Sequence, residues 1–208
     1  MNLSGGRSVH STQVWYDDVM TETQETPIPF NEFAGFGHIY RLTRECIVTE
    51  KIDGTNAQII ISDTGEIRAG SSTRFITPEQ DNAGFAKWVK ANEAELVEKL
   101  GPGQHFGEWW GQGIQRTYGI KEKRFSLFNT TRWNDETKPS CCHIVPVLYQ
   151  GLFLTDKIDE ALASLETSGS IAAPGFMKPE GIVIYHVAGN HLYKKTLGGD
   201  GHKFQNAK

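Results

Sequence analysis

A charged segment between two apolar runs is the feature that most constrains the fold of this chain. Residues 50–56, Glu-Lys-Ile-Asp-Gly-Thr-Asn, separate the apolar run 46–48 from the apolar run 59–61. Short apolar runs bounded by turn residues predict β-strands, so Lys51 is expected at the end of one strand, just before the next. A charged amine between buried strands needs an anionic partner or has to become neutral. A neutral lysine amine is also a nucleophile.

Two interpretations of this segment are open at this point. Asp53-Gly54 is a common turn dipeptide, which favours a plain hairpin between the two strands. The position of Lys51 favours a nucleophile instead. Short motifs also match by chance, so the segment alone does not decide between a turn and a reactive site.

Composition excludes several classes of protein. The chain has 208 residues, of which 38% are hydrophobic and 22% charged, as in ordinary globular proteins. Its net charge of -4 argues against wrapping nucleic acid through a broad basic face, although a local basic groove is compatible.

Three cysteines, with Cys141 and Cys142 adjacent, form no disulfide framework and indicate a reducing compartment. A second pair of zinc ligands is not evident beside Cys141, Cys142 and His143. The polar N-terminus and the lack of a membrane-length apolar run predict a soluble, cytoplasmic protein with no membrane partner.

The pattern along the chain predicts an α+β domain of mainly antiparallel sheets with flanking helices. A long helix is predicted with Thr77 as N-cap, Pro78 at its first position and Gly101 at its end, and a second helix begins at Thr155. We divide the chain into a polar arm (1–29), the domain itself (30–197) and a tail (198–208). Strands are predicted at 47–50, 57–62, 66–69, 104–110, 125–128, 144–148, 181–187 and 191–197.

Four further charged residues lie in or directly beside predicted strands. Glu108 is flanked by a glycine and two tryptophans, Glu180 precedes an apolar strand, and Lys194 and Lys195 lie within the last strand. Carboxylates in apolar surroundings need a cation, a hydroxyl or a metal as partner. Because strand residues alternate between faces, each of them alone is equally compatible with an exposed surface. Their occurrence together favours a shared cleft with Lys51.

In this order, the residues resemble the motifs of the covalent nucleotidyltransferase superfamily, which contains ATP-dependent DNA ligases, RNA ligases and mRNA capping enzymes. The Lys-x-Asp-Gly motif is at 51–54, and its extension Thr55-Asn56 is similar to the RNA ligase branch, especially the nick-sealing phage type. Later motifs resemble the segments 71–74, 107–109, 125–128 and 180–183. The resemblance covers residues from about 50 to 195 and implies a nucleotidyltransferase (ATP-grasp-like ligase) domain.

The resemblance also implies roles for individual residues. Lys51 would attack ATP and become lysyl-AMP, with Lys194 and Lys195 as further catalytic residues. Mg²⁺ or Mn²⁺ would be held by Glu180 and Asp53, since carboxylates and water suit these ions. Phe128 would stack on adenine, and Glu108 and Arg74 would hold the ribose hydroxyls. The full set implied to bind ATP or AMP is Glu50, Lys51, Ile52, Asn56, Arg74, Glu108, Phe128, Glu180, Lys194 and Lys195.

Two departures from the family pattern matter. The family usually separates its last two lysines by one residue, whereas Lys194 and Lys195 are adjacent. Adjacent strand residues face opposite sides, so one of the two can enter the cleft, and we favour Lys194. In addition, little chain follows Lys195, so an appended OB-fold domain is not expected and the chain resembles a stand-alone adenylyltransferase domain.

We therefore expect an ATP-dependent polynucleotide (RNA) ligase that transfers AMP to a 5′-phosphate and seals it to a 3′-OH, on RNA or a nicked duplex. A local phosphate-binding edge is predicted, although a solvated charged loop explains the same residues: Arg116, Lys121, Lys123 and Arg124. Alternatives are an ATP-dependent DNA ligase, or a nucleotide-binding subunit without independent turnover whose partner protein supplies a second domain. A glycosidase-like pair of Glu108 and Glu180 leaves the lysines unexplained.

Overall fold

The computed structural model describes residues 32–198, except 34 and 36, and within them it contains two β-sheets and three helices. The predicted α+β class is confirmed, and the parallel pairing of β6 with β7 is an exception to the antiparallel rule. The predicted arm (1–29) and the tail beyond residue 198 lie outside the described residues.

The strands are β1 Glu45–Lys51, β2 Thr55–Ile61, β3 Ile67–Ser71, β4 Phe75–Ile76, β5 Gly103–Gly111, β6 Lys123–Leu127, β7 His143–Ile144, β8 Val147–Leu152, β9 Gly181–His186 and β10 His191–Thr196. The helices are α1 Phe85–Ala91, α2 Glu93–Leu100 and α3 Thr155–Ser168.

The first sheet has the order β10-β9-β1-β8 and is antiparallel throughout. Alternate residues of β1 and β9, among them Val48 and Ile182, point to one face and are buried. They pack against the apolar stripe of α3, formed by Ile158, Ala161 and Leu165. The opposite face of this sheet, which carries Lys51, is therefore left for the site.

The second sheet has the order β4-β3-β2-β5-β6-β7. Its inner face packs Ile59 and Trp109 against Phe85 of α1 and Leu96 of α2, which makes the largest of the three apolar clusters among the described residues. Period-2 alternation then places Glu108, the neighbour of Trp109, on the other face of β5. Each sheet thus has one face covered by helices and one face directed away from them.

Residues 52–54 cross from the first sheet to the second, because β1 and β2 belong to different sheets. The interpretation of Asp53-Gly54 as a hairpin turn is therefore wrong. Gly54 is required by packing, since a Cβ at this position would lie 2.5 Å from the carbonyl oxygen of Trp109 and 2.7 Å from the Cβ of Trp110. The backbone passes directly over β5 at this point.

The helix predicted from Thr77 to Gly101 is wrong at its start and in its continuity. Thr77 Oγ1 does accept the Gln80 amide at 3.3 Å, but this bond closes a turn and no helix follows it. The helix begins at Phe85, where Asp81 Oδ1 accepts the amide of Ala86 at 2.8 Å and satisfies one of the free donors of the first turn. A break at Asn92 then divides the predicted helix into α1 and α2.

The strand predicted at 144–148 is two strands in different sheets. β7 pairs with β6, and β8 pairs with β1. Pro146 lies between them, and its carbonyl accepts the amide of Glu50 at 2.9 Å. The C-terminal hairpin of β9 and β10 and the turn joining β2 to β3 are confirmed. Of the helices in the described part of the chain, none has the length and apolar character to cross a membrane.

Candidate active site

Lys51 ends β1 directly opposite Gly181 of β9, and this register brings it to Glu180. Lys51 Nζ donates to Glu180 Oε2 at 2.6 Å, and the two side chains are only 24% and 17% exposed. Gly181 is required here, because a Cβ would lie 2.2 Å from the carbonyl oxygen of Lys195 in β10. The pair is thus a sheltered amine and carboxylate that remain open to a ligand.

Glu108 brings a second carboxyl group to this point from the other sheet. It lies opposite Asn56 in the β2–β5 register, and its Oε1 accepts the Gly54 amide at 2.9 Å. Burial raises the pKa of Glu108 to about 8; the charge of Lys51 and the Gly54 bond lower it, and Glu180 and Asp53 raise it. The Glu108 carboxyl therefore carries a proton near neutral pH, unlike an exposed glutamate.

Asp53 is held by a loop whose role in the site the sequence did not reveal. Its Oδ2 accepts Arg116 Nε at 2.7 Å, and its amide donates to the buried hydroxyl of Tyr118 at 2.7 Å. Arg116 Nη1 also donates to the carbonyl of Lys178 at 3.0 Å, two residues before Glu180. Arg116, predicted at a nucleic-acid edge, thus connects the segments that carry Lys51 and Glu180. Burial raises the pKa of the Tyr118 hydroxyl.

The two adjacent lysines of β10 face opposite sides of the first sheet. Val183 pairs with both Thr49 and Lys194, which places Lys194 on the face of Lys51. Lys195 shares a row with Ile182 on the α3 face, and its Nζ contacts Asp159 Oδ1 at 2.5 Å. The structure therefore brings Lys194, and not Lys195, to the face of Lys51; the catalytic role of either lysine stays a prediction.

Residues predicted to contact the nucleotide base lie around an apolar cluster beside Lys51. Ile52 is buried in it, and Phe128 packs at its margin, directly after β6. Glu50 points to the opposite side of β1, where its carboxylate accepts bonds from residues 170–172. The Glu50 side chain is therefore already bound within the fold and does not face the predicted nucleotide site.

The remaining predicted residues differ in their surroundings. Arg74 lies exposed in the turn between β3 and β4, and Asn56 is exposed beside Glu108. Lys121 is also exposed. Lys123 Nζ donates to the carbonyl of Ala83 at 2.7 Å, and Arg124 contacts Glu122 and lies 5.6 Å above the Trp110 ring. The predicted phosphate-binding edge stays a prediction, with three of its four cations in contacts within the described fold.

The carboxylates at the site suit a hard divalent cation. Glu180 and Asp53 offer oxygen ligands, and both lie close enough to Glu108 for their charges to raise its pKa. Among the described residues no group of three metal-ligating side chains is preformed. An ion here would need phosphate oxygens and water as its other ligands, which is how Mg²⁺ is usually held. The donor set fits Mg²⁺ or Mn²⁺ on these terms.

A family model described as RNA ligase matches residues 44–196. Similar solved structures include variants of the Naegleria gruberi RNA ligase, one with AMP and Mn (TM-score 0.56, 19% identity) and one with ATP and Mn (TM-score 0.55, 19% identity). The matches cover 74% of this chain and 50% and 49% of those chains, so it spans about half their length. At this identity the structural likeness shows the fold. No curated protein matched the sequence.

Proposed function

The chain belongs to the RNA ligase family, and from this premise we propose that it is an ATP-dependent RNA ligase that forms a covalent lysyl-AMP at Lys51. The observation that carries the proposal is the 2.6 Å contact of Lys51 Nζ with Glu180 Oε2 at the junction of the two sheets. A lysine at such a point is unnecessary for binding alone, because a nucleophile is needed only for covalent transfer.

In the first step the Lys51 amine attacks the α-phosphorus of ATP. The N–P bond forms, the bond to pyrophosphate breaks, and the amine loses its proton. Glu180 Oε2 lies within hydrogen-bond reach of that proton. Lys194, on the same face as Lys51, is suited to stabilise the charge that moves onto the leaving pyrophosphate.

The nucleoside is proposed to lie between the two sheets. Phe128 stacks on the base beside Ile52, and the Glu108 carboxyl and Arg74 hold the ribose hydroxyls. A protonated Glu108 offers both a donor and an acceptor to such a hydroxyl. Glu180 and Asp53 would hold Mg²⁺ or Mn²⁺, which supplies neutralising charge to the phosphates when bound.

The next two steps transfer and then release AMP. A 5′-phosphate oxygen attacks the phosphorus of lysyl-AMP, freeing Lys51, and a 3′-OH then displaces AMP to form the phosphodiester. The nucleic-acid partner thus carries a 5′-phosphate and a 3′-OH, in RNA or a nicked duplex. A partner protein that supplies a second domain is a further proposed contact of the nucleic acid.

Labelling with α-³²P-ATP tests the first step. Lys51→Ala should reduce covalent label by at least about a thousandfold, because the nucleophile itself is removed. Lys157→Ala, which removes an exposed lysine of α3, is the control and should label like wild type. Labelling of the Lys51 variant at the wild-type level would refute the mechanism. Sealing assays on nicked RNA, nicked DNA and hybrid duplexes then separate an RNA ligase from a DNA ligase.

A further inference from the structure

Glu50 is a buried carboxylate that the proposed chemistry does not use. It is only 1% exposed, although it adjoins Lys51 in sequence. A buried charge of this kind destabilises a fold unless strong hydrogen bonds compensate it. Its partners all come from one short segment: Ser170 Oγ at 2.5 Å and the amides of Ile171 and Ala172, both at 2.9 Å. Such bonds to a carboxylate are stronger than neutral ones.

The segment that Glu50 holds is a loop closed on itself, residues 169–176. The Ser170 amide donates to the carbonyl of Phe176 at 2.8 Å, and the Phe176 amide donates to the carbonyl of Ala173 at 3.0 Å. Ser170 Oγ, besides bonding Glu50, accepts the Ala173 amide at 3.0 Å. The carboxylate therefore positions a compact unit, which we call the 169–176 loop.

The far side of the 169–176 loop reaches the other sheet. Ala173 is buried in the apolar cluster of Ile52, where Phe128 and Phe176 also pack. The Phe176 ring lies 4.6 Å from the Tyr118 ring. Arg124 of β6 donates to the carbonyl of Ala172 at 3.3 Å. The loop thus spans both sheets behind the residues proposed to contact the base.

From these contacts we infer that Glu50 is a positioning residue: its carboxylate fixes the 169–176 loop as the wall of the base pocket and so selects adenine over other bases. The inference rests on the proposed function and deepens it. Glu50 acts on the nucleotide through Ala172 and Ala173, not by contact with the reacting atoms. Replacing one carboxylate oxygen by an amide NH2, as in Glu50→Gln, leaves one or two of the three donors without an acceptor. The wall then moves, so the pocket loses its shape while Lys51 stays in place.

The test compares Glu50→Gln with Glu45→Gln, which changes an exposed carboxylate at the other end of β1. Covalent labelling is measured over a range of ATP and GTP concentrations. We expect Glu50→Gln to raise the KM for ATP about tenfold and to lower the ATP-to-GTP preference at least about fivefold, with the saturated rate within about threefold of wild type. Glu45→Gln should leave all three quantities unchanged. Wild-type KM and preference in Glu50→Gln would overturn the inference, as would a lost saturated rate at unchanged KM.

Ser170→Ala provides a second variant in case Glu50→Gln does not fold, as judged by far-UV circular dichroism. It removes one of the three donors and should shift KM and base preference in the same direction by a smaller factor; unchanged values would overturn the inference. Equilibrium binding of ATP and GTP to the same variants separates the two proposals. If wild type binds ATP but takes no label, the proposed function fails, and a loss of ATP preference in binding by Glu50→Gln still supports the positioning role.

Discussion

The two faces of the first sheet carry the same two residue types, glutamate and lysine, in opposite circumstances. On the site face, Lys51 contacts Glu180 and Lys194 is exposed. On the α3 face, Glu50 is bound by the 169–176 loop, and Lys195 contacts Asp159. The contact of Lys51 with Glu180 is open to replacement by the proposed phosphate or metal, whereas the charges on the α3 face hold other parts of the chain. Neighbours in sequence therefore have different tasks, because the pleat separates them.

The largest effect after loss of Lys51 itself should come from breaking its contact on the site face. Glu180→Ala removes the carboxylate 2.6 Å from the Lys51 amine and a proposed metal ligand. Covalent labelling should fall about a hundredfold or more, with a higher Mg²⁺ requirement in any residual activity. Glu160→Ala, which removes an exposed carboxylate of α3, is the matched control. Undiminished labelling by the Glu180 variant at limiting Mg²⁺ would contradict the role given to Glu180.

Replacing each of the two adjacent lysines by alanine tests the difference between the two faces most directly. Lys194→Ala should slow lysyl-AMP formation about tenfold to a hundredfold, because a cation is lost from the face where phosphate charge changes. Lys195→Ala should slow it less than about threefold, since its contact with Asp159 is a surface pair of small energetic weight. Initial labelling rates at saturating ATP give both numbers. Equal effects of the two substitutions, or a larger effect at Lys195, would contradict the catalytic role assigned to Lys194 on the face of Lys51.

A smaller effect is expected from Glu108, the carboxyl group that the second sheet brings to the site, and it concerns the pH dependence of stability. The pKa of Glu108 is raised from 4.5 to about 8 in the fold. Between these values the folded state binds a proton that the unfolded state lacks, so stability should fall as pH rises through this window. Glu108→Gln is neutral at every pH and should lose part of this dependence. The melting temperature of each protein is measured at pH 6 and at pH 9. Its fall between the two pH values should be a few degrees smaller in the variant than in wild type. The same drop in both would contradict the raised pKa.

Much of this architecture could be predicted from local patterns. The apolar runs predict most of the strands, and the occurrence of Lys51, Glu108 and Glu180 together at or beside those strands favours a shared cleft. The alternation rule also separated Lys194 from Lys195, but assigning a face needed the register of β10 with β9. Local patterns failed at Thr77, whose capping signal closes a single turn with Gln80, whereas the helix begins at Phe85, beside the bond from the Ala86 amide to Asp81.

The loop that holds Asp53 was not predictable for a related reason. Its backbone adopts positive φ at Gln115, Thr117 and Tyr118, where residues other than glycine are uncommon. No hydrophobic period marks such a segment, and the sequence predicts either a phosphate-binding edge or a solvated charged loop for Arg116. The ion pair with Asp53 and the burial of Tyr118 arise from how the loop folds back on the crossing segment.

The three-residue crossing between the sheets limits how far the protein can open. Lys51 and Thr55 are strand residues of different sheets, and four fully extended steps of chain span at most about 14 Å. Gly54, pressed against β5, leaves no slack for a longer path. While both strands persist, the Cα of Lys51 therefore stays within about 14 Å of the second sheet. Any movement of the two sheets apart must pivot about this crossing, so that it widens the far side of the cleft and leaves Lys51, the proposed nucleophile, in place.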